Sequence, residues 1–126
     1  MWLKDLQSLT SLPVEHVRHR FRNEEVVAVL PTLAPAGQDS ILVATPPKLA
    51  VVVGGGPMGG YWMTYWTSWD TVRIADDEAS EDGWYGLRVS IGERMFQARL
   101  HGLQGQRALR DFVVAVQAQQ HTLVAF

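Results

Sequence analysis

The sequence predicts a mainly β, α+β fold: an antiparallel β-barrel or sandwich of about seven strands, with short N-terminal helices and a C-terminal capping helix. Two observations lead to this prediction. Between residues 23 and 100, short runs rich in β-branched and aromatic residues alternate with turns rich in Gly, Pro and Asp. Near the end, Leu109, Phe112, Val113 and Val116 recur at helical spacing. A helix with one apolar stripe buries it against a sheet.

The length and composition set the outer limits of the prediction. The 126 residues, 47% of them apolar, fit one domain over residues 1–126, with an N-terminal helical extension (1–22) and a β-rich core (23–121). The formal charge of −2 argues against nucleic-acid binding, which depends on Lys and Arg neutralising phosphates. The absence of cysteine excludes disulfides and thiolate chemistry. No apolar run is long enough to span a bilayer, and we expect a cytoplasmic protein.

The N-terminal extension reads as two short helices. Leu3, Leu6 and Leu9 recur at helical spacing, and Pro13 suits the first turn of a second helix that buries Val17 and Phe21. Seven strands are then predicted, at residues 25–30, 40–45, 48–53, 61–69, 71–74, 84–91 and 94–100. The last two form the clearest hairpin, because both alternate strictly and a Gly-Glu turn separates them. The closing helix is predicted over residues 107–119.

Several of these segments carry a family resemblance. The relevant pieces are an acidic entry into the first strand (24–27), a second strand ending at Thr45, an apolar third strand (49–53), a Trp-x-x-Val segment (69–72), a hairpin (87–100) and a closing helix. Their order resembles the pleckstrin-homology-like fold, in particular its small bacterial and GRAM-type members, over residues 23–121. The resemblance implies a binding or assembly scaffold with no invariant active site.

The lipid ligand best known for pleckstrin-homology domains does not fit this sequence. Phosphoinositide binding needs several Lys or Arg around the loop between the first two strands. That loop, residues 31–39, contains no basic residue, and Lys48 stands alone at the next turn. We therefore expect no phosphoinositide binding.

Three motifs match parts of known cofactor or metal sites, but each is better explained as ordinary loop or surface sequence. Gly54, Gly56 and Gly59 match a dinucleotide fingerprint, yet β-favouring aromatics follow where a helix would have to begin, so a plain loop is favoured and no cofactor is expected. His16 and His19 lack further ligands, and the acidic stretch 76–82 lacks the ligand spacing of a calcium loop, so no metal site is expected. No nucleophile signature occurs, and we expect no enzyme.

The aromatic stretch 61–69 is the most informative segment for function. The two-residue period of a strand places Tyr61 and Tyr65 on one face, and Trp62 and Trp66 on the other. A barrel or sandwich has one interior, so the second set is covered either by one of the terminal helices or by a partner. Tyr and Trp are enriched at interface hot spots.

The predicted function is therefore a non-catalytic protein-interaction or oligomerisation module. Its contact surface would contain Tyr61, Trp62, Tyr65 and Trp66, with the loop of Gly54, Gly56 and Gly59 at its rim. The partner would be another protein or a second copy of the chain. The alternative is a small-ligand-binding domain, or a weak enzyme, with an aromatic pocket closed by the loop of residues 54–60.

Overall fold

The chain folds into one antiparallel sheet followed by a helix. The structure, a computed structural model, describes residues 17, 19–33, 39–54, 62–77 and 83–124. Its elements are β1 (Ala28–Leu33), β2 (Asp39–Ala44), β3 (Leu49–Gly54), β4 (Trp62–Thr67), β5 (Val72–Asp77), β6 (Trp84–Ile91), β7 (Arg94–His101) and helix α1 (Gly102–Val124). This confirms the mainly β, α+β class and the C-terminal helix.

The strand order is β4-β3-β2-β1-β7-β6-β5, and every neighbouring pair is antiparallel. Two meanders, β1–β4 and β5–β7, meet where Leu33 lies opposite Gln97. Within the described residues no pairing joins β4 to β5, so the sheet is not closed. The predicted N-terminal helices lie mostly outside the described residues; Val17, His19 and Arg20 have helical backbone.

Some element boundaries differ from the sequence prediction. β1 begins at Ala28 and continues through Pro31 to Leu33, whereas the predicted first strand covered residues 25–30. Proline is tolerated there because β1 pairs with β7 only at Leu33, so the missing N–H interrupts no second ladder. The fourth strand ends at Thr67, since a 3₁₀ turn (Trp69–Thr71) intervenes before β5. Helix α1 starts directly after β7, where Gly102 adopts a left-handed φ of 80°.

The face of the sheet that carries α1 forms the main core. Alternate residues of the β6–β7 hairpin point into it, as the period of two predicts: Leu87, Val89, Phe96, Ala98 and Leu100 are buried. From the helix, the predicted stripe supplies Leu109, Phe112 and Val116, all buried, and the half-buried Val113. Burial of one such large side chain contributes about 1.5–3 kcal/mol. The stripe therefore fixes the helix across both meanders.

The other face of the β1–β4 meander is covered as well. We call its buried cluster the outer core; its members are Val17, Phe21, Val29, Ile41, Val43, Ala50 and Val52, with Val26 and Trp66 packed against it. Val17 and Phe21 come from the segment before β1, so this segment covers the second face. The β1–β4 meander thus buries both faces, which explains why β2 and β3 read as continuous apolar runs.

Trp69 joins the connection between β4 and β5 to the rest of the molecule. Its side chain is buried, and its indole Nε1 donates to the carbonyl oxygen of Thr45 at 3.0 Å. The side-chain amide of Gln120, on α1, donates to the carbonyl oxygens of Trp69 (3.2 Å) and Val72 (2.6 Å). These bonds hold the end of β4 and the start of β5 in fixed positions.

Candidate functional site

The predicted contact residues fall in different parts of the structure. Tyr61, Gly56 and Gly59 lie outside the described residues. Gly54 is the last residue of β3, and Trp62, which pairs with it, is the first residue of β4. Tyr65 packs against the main core and Trp66 against the outer core, so they occupy opposite faces of β4 as the period of two predicts.

Trp66 packs on the segment that precedes β1. Its ring lies edge-on to that of Phe21, with 5.7 Å between centroids and an interplanar angle of 66°. The guanidinium carbon of Arg20 lies 5.8 Å from the Trp66 ring centroid and 5.6 Å from that of Phe21. Trp66 is therefore partly covered by the N-terminal segment, which was one of the two alternatives for this face of β4. Its ring remains half-buried.

Tyr65 faces the main core and reaches the start of β7. The Arg94 Nη1 lies 3.4 Å from the Tyr65 hydroxyl, and the guanidinium carbon lies 5.7 Å from the ring centroid. Arg94 was absent from the sequence-based site because it is 29 residues away in the chain. Its position directly after the Gly-Glu turn was the available signal, since binding residues occur disproportionately on or beside loops that a rigid scaffold positions.

Tyr65 and Arg94 border a cleft between β4 and the β6–β7 turn. We call it the seam cleft, because it lies where the two meanders approach without pairing. Its volume is about 420 Å³, and its lining consists of Tyr65, Trp66, Thr67, Thr71, Ile91, Gly92, Glu93 and Arg94. At one end the backbone N–H of Gly92 donates to the carbonyl oxygen of Thr71 at 3.1 Å. This bond holds the β6–β7 turn against the 3₁₀ turn Trp69–Thr71.

The hydroxyl groups of the cleft have defined roles. Thr71 Oγ1 donates its one hydrogen to the carbonyl oxygen of Ser68 at 2.8 Å, because a carbonyl can only accept. Thr67 must then donate in its 2.9 Å bond to Thr71 Oγ1, and both hydroxyls keep acceptor capacity. On the same strand as Thr67, the Tyr65 hydroxyl accepts from Arg94 and retains its own hydrogen. The cleft thus offers acceptors at the Thr67 and Thr71 hydroxyls and donors at Tyr65 and Arg94.

The cleft contains one carboxylate, that of Glu93, and one guanidinium. Within the described ranges, no group of three His, Cys, Asp or Glu side chains is placed to hold a metal ion. Over those same ranges, no helix has the length and apolarity needed to span a membrane. The seam cleft therefore presents both hydrogen-bond donors and hydrogen-bond acceptors beside an aromatic ring.

Comparisons with known proteins address the fold. No family model matches the chain, and no curated protein matches it. The chain is similar to the crystal structure of the C-terminal domain of an unknown protein from Leishmania infantum, with a TM-score of 0.54 and 15% sequence identity. The match covers 83% of this chain and 99% of that domain. At this identity the likeness shows a shared fold and nothing about activity.

Proposed function

We propose that this chain is a non-catalytic protein-interaction module that binds an extended segment of a partner protein in the seam cleft, along the edge of β4 that pairs with no described strand. The observation that carries the proposal is the position of the cleft. It lies beside an edge strand and is lined by Tyr65, Trp66 and Arg94.

The edge of β4 supports an extended occupant. β4 pairs with β3 on one side and with no described strand on the other. An edge strand presents unpaired N–H and C=O groups, which an added strand can satisfy. Peptide recognition by strand addition takes its affinity from those main-chain bonds and its specificity from neighbouring pockets.

The chemistry of the cleft supports the same occupant. A polypeptide backbone alternates N–H and C=O groups, and the cleft walls offer acceptors at Thr67 and donors at Tyr65 and Arg94. Tyr, Trp and Arg are also the residues most enriched among interface hot spots. Two of the four aromatic residues predicted as contacts, Tyr65 and Trp66, border the cleft.

The fold family proposed with this function is pleckstrin-homology-like, in the form of an incompletely closed sandwich. Seven antiparallel strands followed by one helix across the main core support it. The aromatic strand β4 also runs into the Trp-x-x-Val segment that carries the resemblance, where the 3₁₀ turn Trp69–Thr71 leads into β5. Membership would predict a scaffold without an invariant active site, consistent with a binding role.

The proposal is tested by peptide selection on the purified chain. Peptides enriched from a displayed library of unstructured sequences would be measured against wild type, Tyr65→Ala and Arg94→Ala, with Arg107→Ala as the matched control on the exposed side of α1. We expect both cleft variants to weaken binding by about tenfold, while the control leaves it unchanged. Failure to enrich peptides, or equal affinity for all variants, would refute the proposal.

Self-association at the same edge is the form of the proposal in which the partner is a second copy. Light scattering after size exclusion, over a range of concentrations, measures it directly. A mass at a multiple of 14.1 kDa that falls back to the monomer in Tyr65→Ala would identify the second copy as the partner. A monomer throughout, with peptide binding intact, would point to a different protein.

A small-molecule ligand is the second candidate, favoured by the size of the cleft. Its volume of about 420 Å³ lies within the range of about 300–1,000 Å³ typical of small-ligand sites. Ligand-observed NMR with a fragment library tests it. Fragments that bind wild type and are lost in Arg94→Ala, in a chain that enriches no peptide, would favour this candidate over the first.

A further inference from the structure

The outward face of the β5–β7 meander is open to solvent and rich in arginine. We call this surface the arginine face; by register, its outward positions are Arg73, Ala75, Trp84, Gly86, Arg88, Ser90, Met95, Gln97, Arg99 and His101. The opposite side of the same strands faces the main core. Unlike the β1–β4 meander, this half of the sheet has no outer core over it in the described part of the chain.

The three arginines form a diagonal row across the strands. Arg73 on β5 pairs with Ser90 on β6, and Arg88 lies two residues along β6 from Ser90. Arg88 in turn pairs with Gln97 on β7, and Arg99 lies two residues along β7 from Gln97. Diagonal neighbours in an antiparallel sheet are about 7–8 Å apart. Arg88 therefore stands between Arg73 and Arg99, and the row places three positive charges at nearly even spacing.

The charges of this row are not neutralised by the described residues. Arg73 Nη1 donates to the carbonyl oxygens of Asp70 and Val72, both at 3.0 Å, which fixes the side chain and leaves its charge unpaired. Arg88 and Arg99 are exposed and have no ion pair with any described residue.

Apolar side chains surround the row. Leu33 is 48% exposed, Met95 46% and Trp84 38%, and all three belong to or border this face. The Trp84 ring packs edge-on against that of His101, with centroids 5.0 Å apart. Arg, Met and Trp are enriched at protein interfaces, whereas Lys, Glu and Asp are depleted. The composition of the face is therefore that of an interface, in addition to being basic.

We propose that the arginine face binds an acidic, extended segment of a protein partner, independently of the seam cleft. Residues i and i+2 of an extended chain are about 6.6–6.8 Å apart, close to the spacing of the arginine row. Acidic residues at alternate positions can thus pair with successive arginines. An apolar residue of the same segment can contact Met95 or Trp84.

A protein segment fits this surface better than a nucleic acid. Binding to a phosphate backbone depends on many Lys and Arg contacts, and its affinity comes mainly from releasing counterions. The face supplies three arginines, and the chain as a whole has a formal charge of −2, which repels a long polyanion. Short acidic segments avoid most of this repulsion because they carry few charges.

The experiment measures fluorescence anisotropy with a labelled peptide that alternates Glu with Ser around a central Leu. A second peptide has Gln in place of Glu, and a third has the same composition with its Glu residues in one block. A labelled single-stranded oligonucleotide serves as the nucleic-acid probe. The proteins are wild type, Arg88→Ala/Arg99→Ala, and the matched control Arg107→Ala/Arg110→Ala, whose exposed arginines lie on α1.

We expect the alternating Glu peptide to bind wild type and the control equally, and the Arg88/Arg99 double variant at least about fivefold more weakly. Binding should also weaken with added salt, since the pairs are exposed. Circular dichroism checks that the variants fold. Equal affinity for the Gln or block peptide, or an undiminished affinity in the double variant, would overturn the proposal. Tighter binding of the oligonucleotide, lost in the same variant, would overturn it in favour of nucleic acid.

Discussion

Gln120 provides a direct test of how α1 is attached to the sheet. Its amide donates to the carbonyl oxygens of Trp69 and Val72, at 3.2 and 2.6 Å, so one side chain serves both ends of the β4–β5 connection. Gln120→Ala removes two hydrogen bonds, each worth about 0.5–1.5 kcal/mol net. Because the site is partly buried, water can replace some of this, and we expect a loss of about 1–2 kcal/mol.

The control for this prediction lies on the same helix. Gln117→Ala makes the same change at an exposed position, so the small gain in helix propensity from Ala cancels when the two variants are compared. Urea unfolding measures the difference, and thermal unfolding should show a Tm lower by about 4 °C for each kcal/mol in a chain of this length. Gln120→Glu should destabilise further at neutral pH, since it aims a carboxylate at two carbonyl oxygens.

The reasoning fails if Gln120→Ala and Gln117→Ala agree within about 0.3 kcal/mol. That result would mean that apolar packing of the helix stripe alone positions α1. The β4–β5 connection would then not depend on the helix, and the shape of the seam cleft would have to be set by the strands.

Three further predictions concern packing. Gly105→Ala should destabilise by about 1–2 kcal/mol, because its Cβ would lie 2.7 Å from that of the buried Leu100, which outweighs the gain in helix propensity; unchanged urea stability would contradict this close approach. Thr32→Val and Ser40→Ala each break the same buried hydroxyl–hydroxyl hydrogen bond of 2.6 Å, so the double variant should lose about 1 kcal/mol less unfolding free energy than the sum of the single variants. Additive losses in this double-mutant cycle, measured by urea unfolding, would disprove the coupling. Phe21→Ala should lower the free energy of unfolding by about 3 kcal/mol, because its ring is buried in the outer core, and a loss below about 1 kcal/mol would contradict the docking of its segment.

The strands were the predictable part of this fold. Alternation in β6 and β7 identified the hairpin and its inward residues, because one face of those strands is buried and the other solvated. The stripe of α1 likewise followed from its spacing. The missed boundaries depend on tertiary context: Pro31 remains in β1 because of where β7 pairs, which local propensity does not encode.

The candidate site was only partly predictable for a related reason. Tyr65 and Trp66 were found because aromatic residues on both faces of one strand are a local signal. Arg94, Thr71 and Glu93 were not found, since they reach the cleft through the meeting of two meanders that are separate in sequence. Tyr61, Gly56 and Gly59 lie outside the described residues, and their role stays a prediction.

The division of the sheet into two meanders also bears on how the chain folds. Every strand pair except one joins neighbours in sequence, so hairpins within each meander can form quickly from local contacts. The exception is the pairing of β1 with β7, which closes a much longer loop through the single residue pair Leu33 and Gln97. The slow step of folding should therefore be the docking of two preformed meanders under α1. Substitutions in the helix stripe, such as Phe112→Leu, should then slow folding more than those within either hairpin.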